Sequence, residues 1–547
     1  MSKHESTDRI IICAGTGCTS SNSLEVFDSL DEQVQDEDIE VHISGCHGFC
    51  EQGPLVRLEP EGTLYTGVEE EDVPQIVETI ESGEVIDDLC YHSADGELFI
   101  EEESIPFYKG QRRLVLSNCG RIDPGEIDDY RDEGGYEALE MALTEMDPDS
   151  VVEEVSDAGL RGRGGAGFPT GFKWELASGQ ADDTKYVVAN ADEGDPGAFM
   201  DRSVVEGDPH RVIEGMAIAG YAIGASQGFF FIRAEYPLAV NRIHDAIEDA
   251  REAGYLGDDI LGTGFSFDLE VKEGAGAFVS GEETALIKSI EGKRGMPEPR
   301  PPYPVESGLW GKPTVINNVE TFGNVPTIIA QGADWYADIG DEESPGTKTF
   351  AVTGDVENTG LIEVPMGISL REVVYDIAGG IQGDGEYKAV QIGGPSGGCL
   401  AEEHLDLPLT FDSLQEVGAM IGSGGLVVMD DSNCMVEVAR FFLSFTQEES
   451  CGKCPPCRLG TNKMLEILER MTEGEGKEGD IERLEELAEY VTDASICGLG
   501  QTAPNPVQST LRYFRDEYEA HLEGECPAGE CFAGETDEVE KEVGGIQ

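Results

Sequence analysis

Three cysteines, Cys451, Cys454 and Cys457, stand three apart in Glu449-Ser-Cys-Gly-Lys-Cys-Pro-Pro-Cys-Arg458. That spacing aims three sulfurs from one turn of backbone at one point, as a [4Fe–4S] cube requires of its thiolates. A cube needs a fourth ligand, and Cys497 is assigned to it. It sits in Ala494-Ser-Ile-Cys-Gly-Leu-Gly-Gln501, where glycines let backbone N–H groups approach sulfide atoms. A zinc site with four cysteine ligands is the alternative. Zinc sites favour paired C-x2-C knuckles over a triplet plus a distant single. A cube implies electron transfer, so the rest of the chain should hold an electron source and an exit.

Two further cysteine pairs lie near the start, in Cys13-Ala-Gly-Thr-Gly-Cys18 and Cys46-His-Gly-Phe-Cys50. Each follows a strand-like run, at 9–12 and 39–43, with a helical stretch over 23–30 between them. A third strand at 54–58 and a helix at 73–80 complete a small unit. Four thiolates suit a [2Fe–2S] rhomb, two per iron, and zinc is again the alternative. His47 reads as a polar neighbour and not as an iron ligand. At the other end, His521, Cys526 and Cys531 offer three ligands and Cys434 a fourth, either for zinc or as part of a frayed tail.

Between these lies Gly159-Leu-Arg-Gly-Arg-Gly-Gly-Ala-Gly-Phe-Pro-Thr-Gly-Phe-Lys-Trp174. Gly162, Gly164 and Gly167 match G-x-G-x-x-G, but a helical stretch over 151–158 precedes them where a dinucleotide fingerprint wants a strand. The composition still favours a phosphate-bearing ligand over a plain flexible loop. Six glycines permit close backbone approach, Arg161, Arg163 and Lys173 bring positive charge, and Pro169 can open a helix whose free N–H groups attract anions. Residues 186–191 read as a strand with a polar end. Residues 276–288 read as strand, tight turn and helix. Glu282 and Glu283 fall in the first helical turn, where the dipole alone could account for them. In Arg300-Pro-Pro-Tyr-Pro304, Tyr303 is a candidate to stack on adenine and Arg300 to meet a pyrophosphate; a proline-rich surface turn is the alternative. Asn317 and Asn318 fit either a ligand contact or an asparagine turn.

The elements that must position these residues point to a multidomain α/β and α protein. At 547 residues the chain exceeds one core and suggests about three or four domains. Residues 91–140 read as a linker with one strand-like segment at 105–116, and Cys90 and Cys119 as small hydrophobes. Residues 345–430 carry short strands at 349–353, 360–364 and 389–392, a helix at 369–378, and a glycine loop at 393–398 without nearby cations; Cys399 there is structural. Helices at 436–445, 463–471, 481–491 and 507–518 repeat apolar positions at three and four, as a bundle does.

Composition sets the outer bounds. With 111 acidic against 36 basic residues the net charge is −75, which argues against nucleic acid and anionic membranes as partners. The acids are spread along the chain, suiting a solvated surface in molar salt, where the Debye length falls to about 3 Å. Fourteen cysteines without a secretory leader read as metal ligands and not disulfides. The most apolar stretch, 216–232, is short of a membrane span and reads as a buried helix feeding the strand 228–233. A cytoplasmic protein is expected.

Several of these motifs resemble known ones. Gly45-Cys-His-Gly-Phe-Cys-Glu-Gln-Gly-Pro54 resembles the thioredoxin-like [2Fe–2S] domain of NADH dehydrogenases and related hydrogenases. The 159–174 run resembles the flavin- and NADH-binding loop of the 51-kDa subunit of respiratory complex I, a subunit type shared with NAD-linked hydrogenases and formate dehydrogenases. The resemblance covers nearly all of residues 10–531. It implies a thioredoxin-like domain at 1–95, a linker at 96–140, a Rossmann-like domain for flavin mononucleotide (FMN) and NADH at 141–340, a β-grasp insert at 341–430, a helical [4Fe–4S] domain at 431–520 and an acidic tail at 521–547. It also implies that Gly162, Arg163, Gly164, Gly165, Gly167, Phe168 and Lys173 contact FMN and NAD(H), and that Asn190, Asp192 and Glu193 hold the ring system and ribityl chain. Glu193 and Lys173 would place and polarise the ring. Asp195 stands where the family has glutamate, and Phe278 where it often has tyrosine. Gly281, Glu282 and Glu283 would line the site and disfavour a 2′-phosphate, and Asn317 and Asn318 would lie near the flavin phosphate. The implied activity is that of an NADH dehydrogenase: hydride from NADH to FMN, then single electrons to the clusters and to iron–sulfur partner subunits. A zinc-stapled structural protein without flavin is the rival. The chain ends without the ferredoxin-type cysteine runs of related hydrogenase subunits.

Overall fold

A computed structural model describes residues 8–34 and 39–532 of the chain. The polar start at 1–7 and the acidic tail beyond 532 lie outside them. The protein is a mixed α/β multidomain structure.

In the N-terminal unit, the strands Asp8–Cys13 and Ile39–Ser44 pair in parallel, with Cys13 opposite Ser44. The strands Val56–Glu59 and Thr63–Tyr65 extend the sheet in antiparallel fashion, and the helices Ser23–Gln33 and Val73–Ser82 cover it. Parallel pairing in register matters here. The two cysteine loops leave the sheet at the same edge, so four cysteines far apart in sequence meet there.

The segment 96–140 is no loose linker. Ile105, Phe107, Val115 and Leu116 are buried, and Phe107 stacks on Phe49 with ring centroids 4.5 Å apart. The strand expected at 105–116 is absent: Pro106–Lys109 is a helical turn, followed by irregular chain. The reason lies in one side chain. The carboxylate of buried Glu363 accepts from the backbone N–H groups of Leu114, Val115 and Leu116 at 2.8–3.1 Å. Donors that a strand would offer to a neighbouring strand are satisfied there instead.

The central unit holds four parallel strands in the order Thr314–Asn318, Tyr186–Ala191, Gln227–Arg233, Asp268–Gly274. The helix Pro209–Ile223 is buried at every residue but Tyr221 and feeds Gln227–Arg233, as the apolar run 216–232 requires. The strand expected at 276–280 lies earlier, at Asp268–Gly274, and Phe278–Gly281 is a 3-10 turn. A five-stranded mixed sheet follows, with the added strands Gly398–Ala401 and Gly425–Asp430. The helices Met435–Glu448, Asn462–Thr472, Asp480–Ala494 and Asn505–Tyr513 close the fold around Leu443, Leu468, Leu484, Val491 and Val507.

Candidate functional site

A cavity of about 780 Å³ opens at the carboxyl ends of the parallel strands, where open α/β sheets place ligands. Asn190 and Asn318 are register partners at the ends of adjacent strands and both line it. The glycine loop forms one wall with Gly162, Gly164, Gly165 and Gly167. Gly165 has φ +113°, and a Cβ there would lie 2.8 Å from the backbone of Gly422. The loop therefore needs glycine partly to seat against the insert, whose Gly393, Met420, Gly422 and Ser423 form the adjoining wall. Sequence alone assigns that insert no part in the site; the structure corrects this.

The loop cations divide. Arg163 is fully buried behind the loop and donates to the carbonyls of Thr347, Pro345 and Arg161 at 2.9, 2.6 and 2.9 Å. Arg161 donates to Gly167 O and pairs with Asp412. Neither lines the cavity, so the expected contact of Arg163 with ligand is not found; both guanidinium groups tie the loop to its surroundings. Lys173 does line the cavity, with Nζ 2.8 Å from Ile316 O and 3.2 Å from Glu283 Oε1. Glu283 is also 3.2 Å from the Arg300 guanidinium. Glu282 caps the helix Glu283–Ile290, accepting from the backbone N–H of Thr284 and Ala285.

The acidic residues of the site are unusually dry. Both carboxylate oxygens of Asp192 are buried without a hydrogen-bond partner, and Arg233 approaches no closer than 3.9 Å. Burial pushes the Asp192 carboxyl up to about 7. An orphaned acceptor on a cavity wall is what a polar ligand would satisfy. Glu193 accepts from the backbone N–H groups of Asp201 and Arg202, each at 3.1 Å, and burial raises its pKa. Asp195 is raised to about 6 by burial and accepts from Ser423 Oγ. Asn317 accepts from Trp174 Nε1, and Asn318 donates to Asp201 at 2.6 Å. Phe168 and Tyr303 are about half exposed where they line the cavity, as is Phe172. Gly281 completes the wall.

Phe172, Asp201, Ser423 and Leu499 line the cavity but carry no sequence signal that singled them out. Phe172 lies in the first turn of the helix Thr170–Ser178, with its ring 6.0 Å from that of Phe168.

Cys451, Cys454, Cys457 and Cys497 come together with Phe278, Val279 and Leu499 in one packed cluster. Phe278, Val279 and Leu499 also line the cavity, so the sulfurs lie just behind its wall. A Cβ on Gly500 would lie 3.0 Å from Cys457 Cβ. The four N-terminal cysteines also converge. Cys46 Sγ is 3.7 Å from Cys50 Sγ and accepts from Gly48 N at 3.3 Å, while a Cβ on Gly53 would strike Cys18 Sγ. Hydrogen bonds from Cys13 and Cys50 hold the Cys46 thiol well below its usual pKa; those of Cys13 and Cys50, bonded to Cys18 and Cys46, are pushed up. Both donor sets consist of thiols with glycine-opened backbone around them, which fits iron–sulfur clusters. A third set, Cys434, His521, Cys526 and Cys531, has its ligand atoms within 4.8 Å of one another. His521 Nδ1 lies 2.7 Å from Glu517 O, which leaves Nε2 facing Cys434 Sγ at 3.5 Å. Cys90, Cys119 and Cys399 are buried elsewhere, as small hydrophobes.

Comparison with known proteins agrees with this arrangement. The Nuo51 FMN-binding domain matches residues 155–327, and the NADH-ubiquinone oxidoreductase-F iron–sulfur binding region matches residues 437–521. The chain is 58% identical over 426 residues to the HndC component of the NADP-reducing hydrogenase of Solidesulfovibrio fructosivorans, covering 78% of this chain and 86% of that one. It is 45% identical over 401 residues to the F component of the NADH-quinone oxidoreductase of Escherichia coli (strain K12), covering 73% and 90%. A chain of the NAD+-reducing [NiFe]-hydrogenase in the H2-reduced state superposes with a TM-score of 0.68 at 32% identity, covering 94% of this chain and 84% of that one. With an FMN-binding domain, an iron–sulfur region and near full-length relatives in agreement, the chain belongs to the family of 51-kDa NADH-binding flavoproteins of complex I and NAD-reducing hydrogenases.

Proposed function

We propose that this chain is the NADH-oxidising input module of a larger redox complex, with FMN in the strand-end cavity, a [4Fe–4S] cube on Cys451, Cys454, Cys457 and Cys497, and a [2Fe–2S] rhomb on Cys13, Cys18, Cys46 and Cys50. The observation that carries it is the shared wall: Val279 and Leu499 touch the cavity on one side and the cysteine cluster on the other. Bound FMN would supply the conversion of a two-electron donor into single electrons. The chain's own residues position and insulate. The glycines of 162–167 admit close backbone approach, Asp192 offers an unpaired acceptor, and Lys173 sets one positive charge against the strand end. Glu193 is fixed by two backbone N–H groups and Asp195 by Ser423, so neither drifts when the cavity fills. Gly281, Asn190, Asn317 and Asn318 complete the binding wall, Phe168 and Tyr303 its mouth. Glu283, held between Lys173 and Arg300, and the helix-capping Glu282 line the part of the wall assigned to the nicotinamide dinucleotide.

The N-terminal unit, 1–95, is read as thioredoxin-like, 141–340 as Rossmann-like and 341–430 as a β-grasp insert; 431–520 is the [4Fe–4S] bundle. The Cys434, His521, Cys526, Cys531 set is read as a structural zinc site, because the His521 Nδ1 contact with a carbonyl presents the other nitrogen to the sulfurs. The partners are iron–sulfur subunits and the location is cytoplasmic; among the described residues no helix is long and apolar enough to cross a membrane. The charge of −75 fits work in molar salt.

Anaerobic purification in high salt tests the reading. A coloured protein with one flavin per chain, bleached by NADH and active toward a dye acceptor, is expected. A colourless chain inert to NADH after reconstitution with FMN, iron and sulfide overturns it and leaves the zinc-stapled structural protein.

A further inference from the structure

The turn between two N-terminal cysteines is gripped from outside its own unit. His47 lies between Cys46 and Cys50 with a fully buried side chain. Its Nε2 is 3.2 Å from Ser44 Oγ and its Nδ1 is 3.2 Å from Glu102 Oε1. The other carboxylate oxygen of Glu102 is 3.0 Å from the Arg57 guanidinium. Glu102 belongs to the turn Glu102–Ser104 in the segment that the sequence presents as a linker. Gly120, from the same segment, closes on His47: a Cβ there would lie 2.7 Å from the ring.

Glu102 is 4% exposed, yet it is held ionised near pKa 2. Burial opposes that charge, but the hydrogen bond and charge of His47 and the charges of Arg57 and Arg113 outweigh it. A buried ion pair of this kind is costly to assemble and contributes little to stability by itself. Its position argues for another role. In a low-dielectric surround a fixed charge acts on a neighbouring charge several-fold more strongly than in water. A thiolate-ligated cluster gains one negative charge on reduction, so nearby fixed charge and hydrogen bonds shift its potential.

We propose that Glu102 is a positioning residue for the N-terminal cluster: it fixes His47 between two ligand cysteines and, with Arg57, sets the reduction potential of the [2Fe–2S] centre. This rests on Cys13, Cys18, Cys46 and Cys50 being the cluster ligands. Glu102 lowers the potential, because its charge opposes that of the added electron. Arg57 raises it. Glu102 acts both by its own charge and by the hydrogen bond that fixes the imidazole.

The test is an EPR-monitored redox titration of the full chain, purified anaerobically in high salt, as wild type, Glu102→Gln, Glu102→Asp and Arg57→Gln. The expected result is a higher [2Fe–2S] midpoint in Glu102→Gln, a value near wild type in Glu102→Asp, and a lower midpoint in Arg57→Gln. The [4Fe–4S] midpoint stays in place in all of them. A merely structural role would change cluster content without this pair of opposite shifts. Intact clusters with unmoved midpoints in Glu102→Gln and Arg57→Gln overturn the proposal. If Glu102→Gln loses its iron, Arg57→Gln decides: a lowered midpoint supports the proposal, and an unmoved one ends it. A wild-type chain with a [4Fe–4S] signal and no [2Fe–2S] signal overturns the ligand assignment itself, and the proposal with it.

Discussion

Asp192 pays for its place in the cavity wall. Its folded-state pKa, near 7, lies well above the ordinary 3.8, so the folded chain holds a proton that the unfolded chain releases between those values. The stability this group contributes is therefore greatest at low pH and declines as pH rises from about 4 to about 7. Asp192→Asn removes the charge at constant size. In the flavin-free chain it should raise the melting temperature at pH 8, by several degrees, and have little effect at pH 4. The same change should weaken flavin binding, read by fluorescence titration, because one of the two unpaired acceptor oxygens becomes an NH2 donor. Equal melting temperatures at pH 8 would refute this account. The residues proposed as metal ligands give a second prediction. One zinc per chain by mass spectrometry is expected in addition to iron, and Cys434→Ser should lose the zinc while keeping the flavin. Much at this scale was legible. Cysteine spacing grouped Cys451, Cys454, Cys457 and Cys497, and Cys13, Cys18, Cys46 and Cys50, and left His521, Cys526, Cys531 and Cys434 open between zinc and a frayed tail; the side chains of each group lie together in the fold. Arg163 was not legible, because a glycine loop's cation looks the same in sequence whether it faces a phosphate or, as here, three backbone carbonyls.

At the level of elements, the sequence pattern found the strands Tyr186–Ala191 and Gln227–Arg233, the buried helix Pro209–Ile223 and the bundle, but gave no strand at Thr314–Asn318 and set one at 276–280 where the chain has Asp268–Gly274. It failed where a side chain stood in for a strand partner. Leu114, Val115 and Leu116 have strand-like sequence, but Glu363 takes up their N–H groups from 247 to 249 residues away. No local pattern encodes so remote an acceptor. Glu363→Ala leaves these buried donors unpaired and should destabilise the protein by about 3–5 kcal/mol, at about 1–3 kcal/mol per donor less what water recovers. Denaturant unfolding measures it, and a loss below about 1 kcal/mol would rule the explanation out. The buried Lys348–Glu320 pair, from the insert strand Thr347–Gly354 and the helix Val319–Gln331, ties the insert to the central unit as well.

For the whole molecule, charge dominates. A chain at −75 repels itself, and only dissolved ions screen that repulsion. Lowering salt from molar to about 0.01 M lengthens the Debye length from about 3 to about 30 Å. Far-ultraviolet circular dichroism should report loss of structure over that range, with release of flavin and iron, and restoration by salt; an unchanged spectrum would exclude a salt requirement. The contact of Gly165 with Gly422 adds an order of events. The two halves of the cavity wall are more than 250 residues apart in the chain, and their backbones meet without an intervening side chain. A ribosome that has released only the glycine loop has made half a vessel. The prosthetic group is enclosed by both walls only after the segment around Gly422 has emerged and docked, more than 250 residues behind the loop.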